Sequence, residues 1–305
     1  LNLGRPGVLI LTGPTCAGKT AVALELAQQF DAEIIGADSR QIYRGMPIGT
    51  AAPTAAERAL VRHHLVGFLD PRERYSAARF VADAFAAIAG VHARGKRAIV
   101  VGGTGFYIRA LAGDVALSAA QDETLRARLA REARLHPPEV LHGWLRSRAH
   151  ARALEVAPGD RYRVLRALEI ALLGGERAAA GTVERVAAVS LRAAGIAFAK
   201  LVLEVPQAEL EARIARRVDA MLAAGLLEEA ERVGVGAVAA DAVGYPQALA
   251  HLAGWSTQPE LRAHLVRATR RYAKRQSTWF RSEPGILRIV AGRAAGAAVE
   301  LLGWR

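Results

Sequence analysis

Residues 8–30 read VLILTGPTCAGKTAVALELAQQF. VLILT has the length and composition of a buried strand, and AVALELAQQF carries the pattern of a helix, so the segment reads strand, tight loop, helix. The loop, residues 13–20, has the spacing G-x-x-x-x-G-K-[ST] of a phosphate-binding loop. Gly13 and Gly18 let backbone N–H groups turn inward, and Thr15, Cys16 and Ala17 present their amides to the anion. Lys19 reaches terminal phosphate oxygens, the Thr20 hydroxyl can ligate Mg²⁺, and the following helix directs its positive end at the same place. The loop binds a di- or triphosphate. It does not say which.

Working outward, AEIIGA (32–37) is a second strand, and SAARFVADAFAAIAGVHARG (76–95) is a helix leading into the strand RAIVVGG (97–103). Phe80, Ala84, Ala87, Ile88 and Val91 recur at helical spacing, and Gly95 stops the helix. Alternating strands and helices predict a parallel sheet with helices on both faces. After about Asp114 the pattern changes: DETLRARLAREARLH, EVLHGWLRSR and DRYRVLRALEIALLGG are helical without a convincing strand. A strand returns at FAKLVLEV, followed by a helix with Leu210, Ile214, Val218 and Met221 on one stripe and Arg213, Arg216 and Arg217 opposite. The fold class is therefore α/β, a phosphate-loop NTPase-like parallel core with an all-helical insertion. The expected domains are a first core segment over residues 1–115, the insertion over 116–189, and a return to the core with basic helices over 190–305.

At 305 residues and 52% hydrophobic composition, the chain can bury one large core with an inserted subdomain. No apolar run approaches the roughly 20 residues of a membrane helix. The single cysteine, Cys16, fits a reducing compartment and a cytoplasmic location. A net charge of +12 points to a polyanionic partner. Position sharpens that reading: RAHLVRATRRYAKRQSTWFR (262–281) has no acidic residue and interleaves Tyr272, Trp279 and Phe280, which suits phosphate contact with stacking.

Asp38 follows the second strand in ADSRQIY, at the carboxyl edge where open α/β sheets bind ligands. It is a general base facing the loop, or a helix N-cap with Ser39 as its competitor. RAIVV ends in Gly102, Gly103 and Thr104 without the carboxylate that many phosphate-loop hydrolases carry there. Those small residues mark either close approach of a ligand or backbone, or a bare turn. Adjacent His63 and His64 do not have metal-ligand spacing, and structural or substrate-lining roles are expected. Arg213 and Arg217, four apart on one helix face, suit a leaving phosphate, with a solvated face as the alternative.

Taken in order, GPTCAGKT, ADSRQIYRGMPIGTAAP, HHLVGFLDP, YSAARFVADA, VGGTGFYIRAL, DRYRVLRALEI, RIARRVDAML, AVGYPQAL and TRRYAKRQSTWFR resemble the tRNA dimethylallyltransferases. DSRQIYRGMPIGTA and AKRQSTWFR are the most specific of these. The resemblance implies transfer of a dimethylallyl group from dimethylallyl diphosphate to N6 of adenosine 37, beside the tRNA anticodon. It implies that Lys19, Thr20 and Mg²⁺ stabilise the departing pyrophosphate with Arg217 or Arg213, and that Asp38 accepts a proton from the amine. Ser39, Arg40 and Gln41 would line the adenine. Further tRNA contacts would come from Thr104, Arg126, Tyr162, Arg163, Val164, Leu165 and Arg166. Ala242, Val243, Gly244, Tyr245, Pro246 and Gln247 would add another set, and Arg271, Lys274 and Arg275 a third. The insertion and the basic carboxyl-terminal helix would clamp the anticodon stem-loop around a flipped base. A monomer without an obligate protein partner is expected.

The chain departs from the family pattern in places. Cys16-Ala17 replaces the commoner Ala-Ser, Ala52 stands where Lys is usual, and RHHLVGF replaces PHHLID. Rival readings are an adenylate dimethylallyltransferase acting on free nucleotide, a small-molecule or nucleoside kinase, and a non-catalytic RNA-binding module that kept the loop.

Overall fold

A computed structural model describes residues 7–115, 117, 122–179 and 189–305, with residues 175–179 as backbone only. The expected boundary at residue 116 lies outside the described residues. The chain forms two compact units, one of Leu1–Val115 with Val189–Arg305 and one of Ala116–Ala188.

The first unit is built on six parallel strands: β1 (Val8–Thr12), β2 (Ala32–Gly36), β3 (His63–His64), β4 (Arg97–Gly102), β5 (Phe198–Leu203) and β6 (Ile286–Ile289). Their order across the sheet is β3-β2-β4-β1-β5-β6. β1 and β2 are buried along their whole length, as strands covered on both faces must be. Helices α1 (Lys19–Gln29), α2 (Ala55–Leu60), α3 (Ala77–Ala93) and α4 (Gly105–Ala112) belong to the first half of this unit. In α3, Ser76 caps the N-terminus by accepting from the Arg79 amide, and Phe80, Ala84, Ile88 and Val91 are buried while Ala87 is partly so. The phosphate-loop NTPase-like class expected from the alternation is the one observed.

The second unit contains α5 (Glu123–Leu135), α6 (Pro138–Arg148), α7 (His150–Glu155) and α8 (Arg161–Ala179). Leu129, Leu141, Leu145, Val156, Val164 and Leu168 form its own core.

After β5 come α9 (Gln207–Ala223), α10 (Leu226–Val233), α11 (Tyr245–Leu252), α12 (Gln258–Arg281) and α13 (Ala294–Leu302). α1 and α13 share one core with the sheet, where Phe30 meets Trp304 edge to face at 5.5 Å between ring centroids. β3 and β6 escaped the sequence reading because one is a two-residue edge strand and the other, ILRI, is exposed at Leu287 and Arg288.

Candidate active site

The strand order puts the carboxyl ends of β1, β4 and β2 side by side. Three connections therefore meet at one edge: the phosphate loop after β1, the Gly103-Thr104 turn after β4, and Asp38 after β2. The loop leads directly into α1, whose N-cap Gly18 takes the left-handed conformation with φ 92°. The Lys19 ammonium donates to the carbonyls of Gly13 and Pro14, both at 2.9 Å. Withdrawal from water lowers its pKa from 10.5 to about 8, the Asp38 carboxylate raising it and the Arg217 guanidinium lowering it again. The charges of Asp38 and Arg217 thus both reach Lys19.

Asp38 does not cap a helix, since the chain runs through turns to α2 and its N-cap Thr54. Its Oδ1 accepts from the Arg40 amide at 2.9 Å, which orients the carboxylate from the backbone. The ends of β2 and β4 are tied together: the Ala37 amide donates to Val101 O at 2.7 Å, and the Ser39 amide to Thr104 Oγ1 at 3.0 Å. Thr104 in turn donates to Ser39 Oγ at 3.3 Å. Arg40 pairs with Asp241, Nη1 to Oδ1 at 2.8 Å and Nη2 to Oδ2 at 2.9 Å. Gln41 Nε2 donates to the carbonyls of Thr50 at 3.1 Å and Ala51 at 2.9 Å. All four residues in DSRQ therefore have a side chain or amide engaged in holding this corner.

α9 packs Leu210, Ile214 and Val218 inward and brings two arginines over the loop. Arg213 Nη1 donates to Cys16 O, and Arg217 Nη1 to Thr15 Oγ1, each at 3.4 Å. Arg216 on the same helix is exposed. Cys16 is buried against Leu210, Ile214 and Ala273, which accounts for a thiol-sized filler at that position.

Sequence reasoning missed Gln276 and Glu229. Gln276 Oε1 accepts from the Thr15 amide at 2.8 Å, and its Nε2 donates to Gly103 O at 3.0 Å. A Cβ on Gly103 would sit 2.2 Å from that Nε2, so the small residue there marks a close approach rather than a bare turn. The available signal was a polar residue on the apolar stripe of α12, between Ala273 and Phe280. Glu229, fully buried, accepts from the amides of Ile48 at 3.0 Å and Gly49 at 2.7 Å and from the Tyr245 hydroxyl at 2.7 Å.

Several residues expected to contact tRNA are buried or paired within the protein. Tyr245 is fully enclosed, its ring filling the space that a Gly49 side chain would need, and Ala242 and Gly244 are buried with it. They support the loop of residues 46–51; Pro246 is exposed, and Val243 and Gln247 are partly so. Val164 lies in the core of the helical unit, and Leu165 packs partly against it. In the same unit the buried Glu169 carboxylate accepts from Arg126 Nε at 2.8 Å and Arg166 Nη1 at 2.5 Å, while Tyr162 and Arg163 are exposed. On α12, Phe280 is a core residue, and the Arg109 guanidinium lies over one face of the partly buried Trp279 ring at 4.4 Å. Tyr272 is half-buried, its pKa raised by burial and then by the Asp38 charge. Arg262 is held by Asp219 and Arg270 by Glu211, leaving Arg271, Lys274 and Arg275 exposed.

His64 Nε2 lies 2.7 Å from Glu33 Oε2, a structural pairing. His63 Nδ1 lies 2.7 Å from Val61 O, and burial lowers its pKa. It also lines a small cavity with Thr20, Gln41 and Val101. Among the described residues, no three His, Cys, Asp or Glu side chains cluster to hold a metal by themselves. Among them, too, no helix is long and apolar enough to cross a membrane.

Fold and site together define a phosphate-loop α/β protein in which the loop faces a carboxylate instead of a strand-end metal ligand. The chain belongs to the IPP transferase family, whose sequence profile matches residues 41–283. It is 45% identical over 286 residues to the tRNA dimethylallyltransferase of Anaeromyxobacter dehalogenans (strain 2CP-C), covering 92% of this chain and 94% of that one. It is 41% identical to the tRNA dimethylallyltransferase of Synechococcus sp. (strain JA-3-3Ab), over 93% of this chain and 82% of that one. Two crystallographic structures are similar over most of this chain. The tRNA isopentenylpyrophosphate transferase of Bacillus halodurans superposes with a TM-score of 0.67 at 34% identity, covering 94% of this chain and 90% of that one. A eukaryotic dimethylallyltransferase acting on tRNA superposes with a TM-score of 0.76 at 26% identity, covering 95% and 75%.

Proposed function

We propose that this chain transfers a dimethylallyl group from dimethylallyl diphosphate to N6 of adenosine 37 in the anticodon loop of tRNA, releasing diphosphate. The observation that carries this reading is the pairing, across one crevice, of the phosphate loop with Asp38, where β4 ends in Gly-Gly-Thr and no carboxylate. Family membership supplies the chemistry that such a pairing serves.

The exocyclic nitrogen attacks C1 of the allylic group as the C–O bond to the diphosphate breaks. The electron pair of that bond leaves with the diphosphate, and Asp38 takes the proton that the new C–N bond makes acidic. Lys19, the loop amides of Cys16, Gly18, Lys19 and Thr20 and the Arg217 guanidinium meet the charge that grows on the leaving oxygens, with Arg213 beside them. These cations favour the transition state because the charge is largest there. The donor set for a metal is a single protein hydroxyl, Thr20, beside the phosphates. That fits Mg²⁺, which keeps substrate phosphates and waters as ligands and needs no cage of side chains. When bound, it would neutralise charge on the leaving diphosphate. Arg271, Lys274 and Arg275 on α12, and Tyr162 and Arg163 with Arg126 and Arg166 on the helical unit, are the residues this reading assigns to the tRNA backbone and bases. Ser39, Thr104 and Gln41 shape the acceptor side. A single cysteine supports function in a reducing, cytoplasmic setting.

The test is incubation with Mg²⁺, radiolabelled dimethylallyl diphosphate and unmodified tRNA bearing adenosine 37, beside AMP and ATP controls and the Asp38→Ala variant. Label in tRNA alone, lost in the variant, is the expected result. Label in AMP, or consumption of ATP without transfer, would overturn it.

A further inference from the structure

The inward face of α12 is apolar at Leu261, Leu265, Ala268, Ala273 and Phe280, yet Gln276 sits among these residues at 6% exposure. A carboxamide carries an acceptor oxygen and two N–H donors, and burying it is costly unless these are matched. Here the matching is directional. The oxygen accepts from the Thr15 amide at 2.8 Å and the nitrogen donates to the Gly103 carbonyl at 3.0 Å, so only one orientation of the amide satisfies both.

The two backbones it joins belong to different halves of the crevice. Thr15 is in the phosphate loop, and its hydroxyl also receives Arg217 at 3.4 Å. Gly103 precedes Thr104, whose hydroxyl accepts from the Ser39 amide at 3.0 Å, next to Asp38. One side chain thus connects the groups that grip the leaving group with the groups that carry the base. The space at residue 103 is shaped for it, since a Cβ there would come within 2.2 Å of the amide nitrogen. Neither charge nor exposure suits Gln276 to touch RNA itself.

We infer that Gln276 is a positioning residue for the transfer reaction: it holds the donor-binding loop and the Asp38 turn at their working separation. The inference rests on the proposed transfer. A displacement of about 1 Å between reacting groups costs orders of magnitude in rate, so a single spacer of this kind has leverage beyond its own hydrogen bonds.

Gln276→Leu removes both bonds at similar volume. Its kcat should fall at least about tenfold, the factor equivalent to one lost hydrogen bond, with the KM for tRNA within about twofold of wild type. Gln276→Glu separates position from folding. The carboxylate still accepts from Thr15 but sets an oxygen against Gly103 O; once protonated, it donates there as the amide did. The ratio of Gln276→Glu to wild-type kcat should therefore rise as pH falls from about 8 to about 6, because burial raises the pKa of the introduced carboxyl. Affinity for Mg²⁺-pyrophosphate, read by calorimetry, should fall about tenfold in Gln276→Leu. A kcat and pyrophosphate affinity in Gln276→Leu within about twofold of wild type would overturn the inference. So would a flat pH ratio, or a loss explained wholly by a lower folded fraction. Failure of the wild-type protein to label tRNA would reject the transfer reading instead, and the pyrophosphate measurement would still decide whether Gln276 positions the loop.

Discussion

A carboxylate lies near each end of β2, and the fold treats the two differently. Glu33, near its start and 4% exposed, accepts from Arg94 Nε at 3.0 Å and Nη2 at 2.6 Å, with His64 Nε2 at 2.7 Å. The Arg94 hydrogen bond lowers its pKa from 4.5 to about 2 against the opposing effect of burial, with His64 adding to the lowering. Asp38, two residues past the strand's end, is half-buried and, among the described residues, accepts one backbone hydrogen bond. The first carboxylate is saturated and holds the strand to α3. The second is oriented by the backbone but keeps acceptor capacity, and its charge reaches Lys19. Saturated charges stabilise the fold, whereas a charge oriented by the backbone and left accessible can move a proton.

Replacing each carboxylate tests that contrast most sharply. Asp38→Asn should lower the single-turnover rate of transfer by about 10²–10⁴, the range of a lost general base, while Tm stays within about 2 °C. Retention of more than about a tenth of the rate would remove Asp38 from that role. Glu33→Gln should do the reverse, costing on the order of 3 kcal/mol at pH 7 while kcat per folded molecule is unchanged. The sign follows from a depressed folded pKa. The stabilisation is full above the unfolded value near 4.5 and is lost as pH falls towards about 2. Urea unfolding of wild type and variant should therefore converge over that window, and a constant gap would show that the ion pair is not the cause.

A smaller effect is expected at Glu229, a third kind of carboxylate, saturated like Glu33 but placed near the crevice. Tyr245→Phe removes one of its three bonds and should cost about 1–2 kcal/mol of stability by urea unfolding, with kcat little changed. A large fall in tRNA affinity with stability intact would instead return Tyr245 to the RNA interface. Smallest of all is Lys274→Ala on the exposed face of α12. It should reduce the salt dependence of tRNA binding by about one unit of slope, leaving Tm and the KM for dimethylallyl diphosphate as they were. An unchanged slope would place the phosphate contacts elsewhere.

Much of the fold was legible because its signals are local. VLILT, AEIIG and RAIVVG are apolar runs bounded by turns, and the phosphate loop is a contiguous string whose backbone geometry follows from its own glycines. Packing that depends on distant partners was not legible. Tyr245 and Gly49 are 196 positions apart in sequence yet occupy each other's space, and nothing near either residue says so. The charges of α12 look alike in sequence, but Arg262 and Arg270 are taken by Asp219 and Glu211 of α9 while Arg271, Lys274 and Arg275 face solvent. Phe280 and Trp279 were expected to stack on bases because they are aromatic and flanked by arginines. One is core and the other is partly buried with Arg109 over one face of its ring, since a helix packed on one side must bury one face in three or four residues.

By itself the sequence determined the phosphate loop, the α/β class and the family, because each is written in contiguous residues or in an ordered series of them. Tertiary structure alone decided which charges are spent on folding and which are left for chemistry, and that Gln276 joins the two halves of the crevice. Those assignments depend on strand order and helix packing. They bring Thr15, Gly103 and Gln276 within 3.0 Å hydrogen bonds although the chain separates Thr15 from Gln276 by 261 positions.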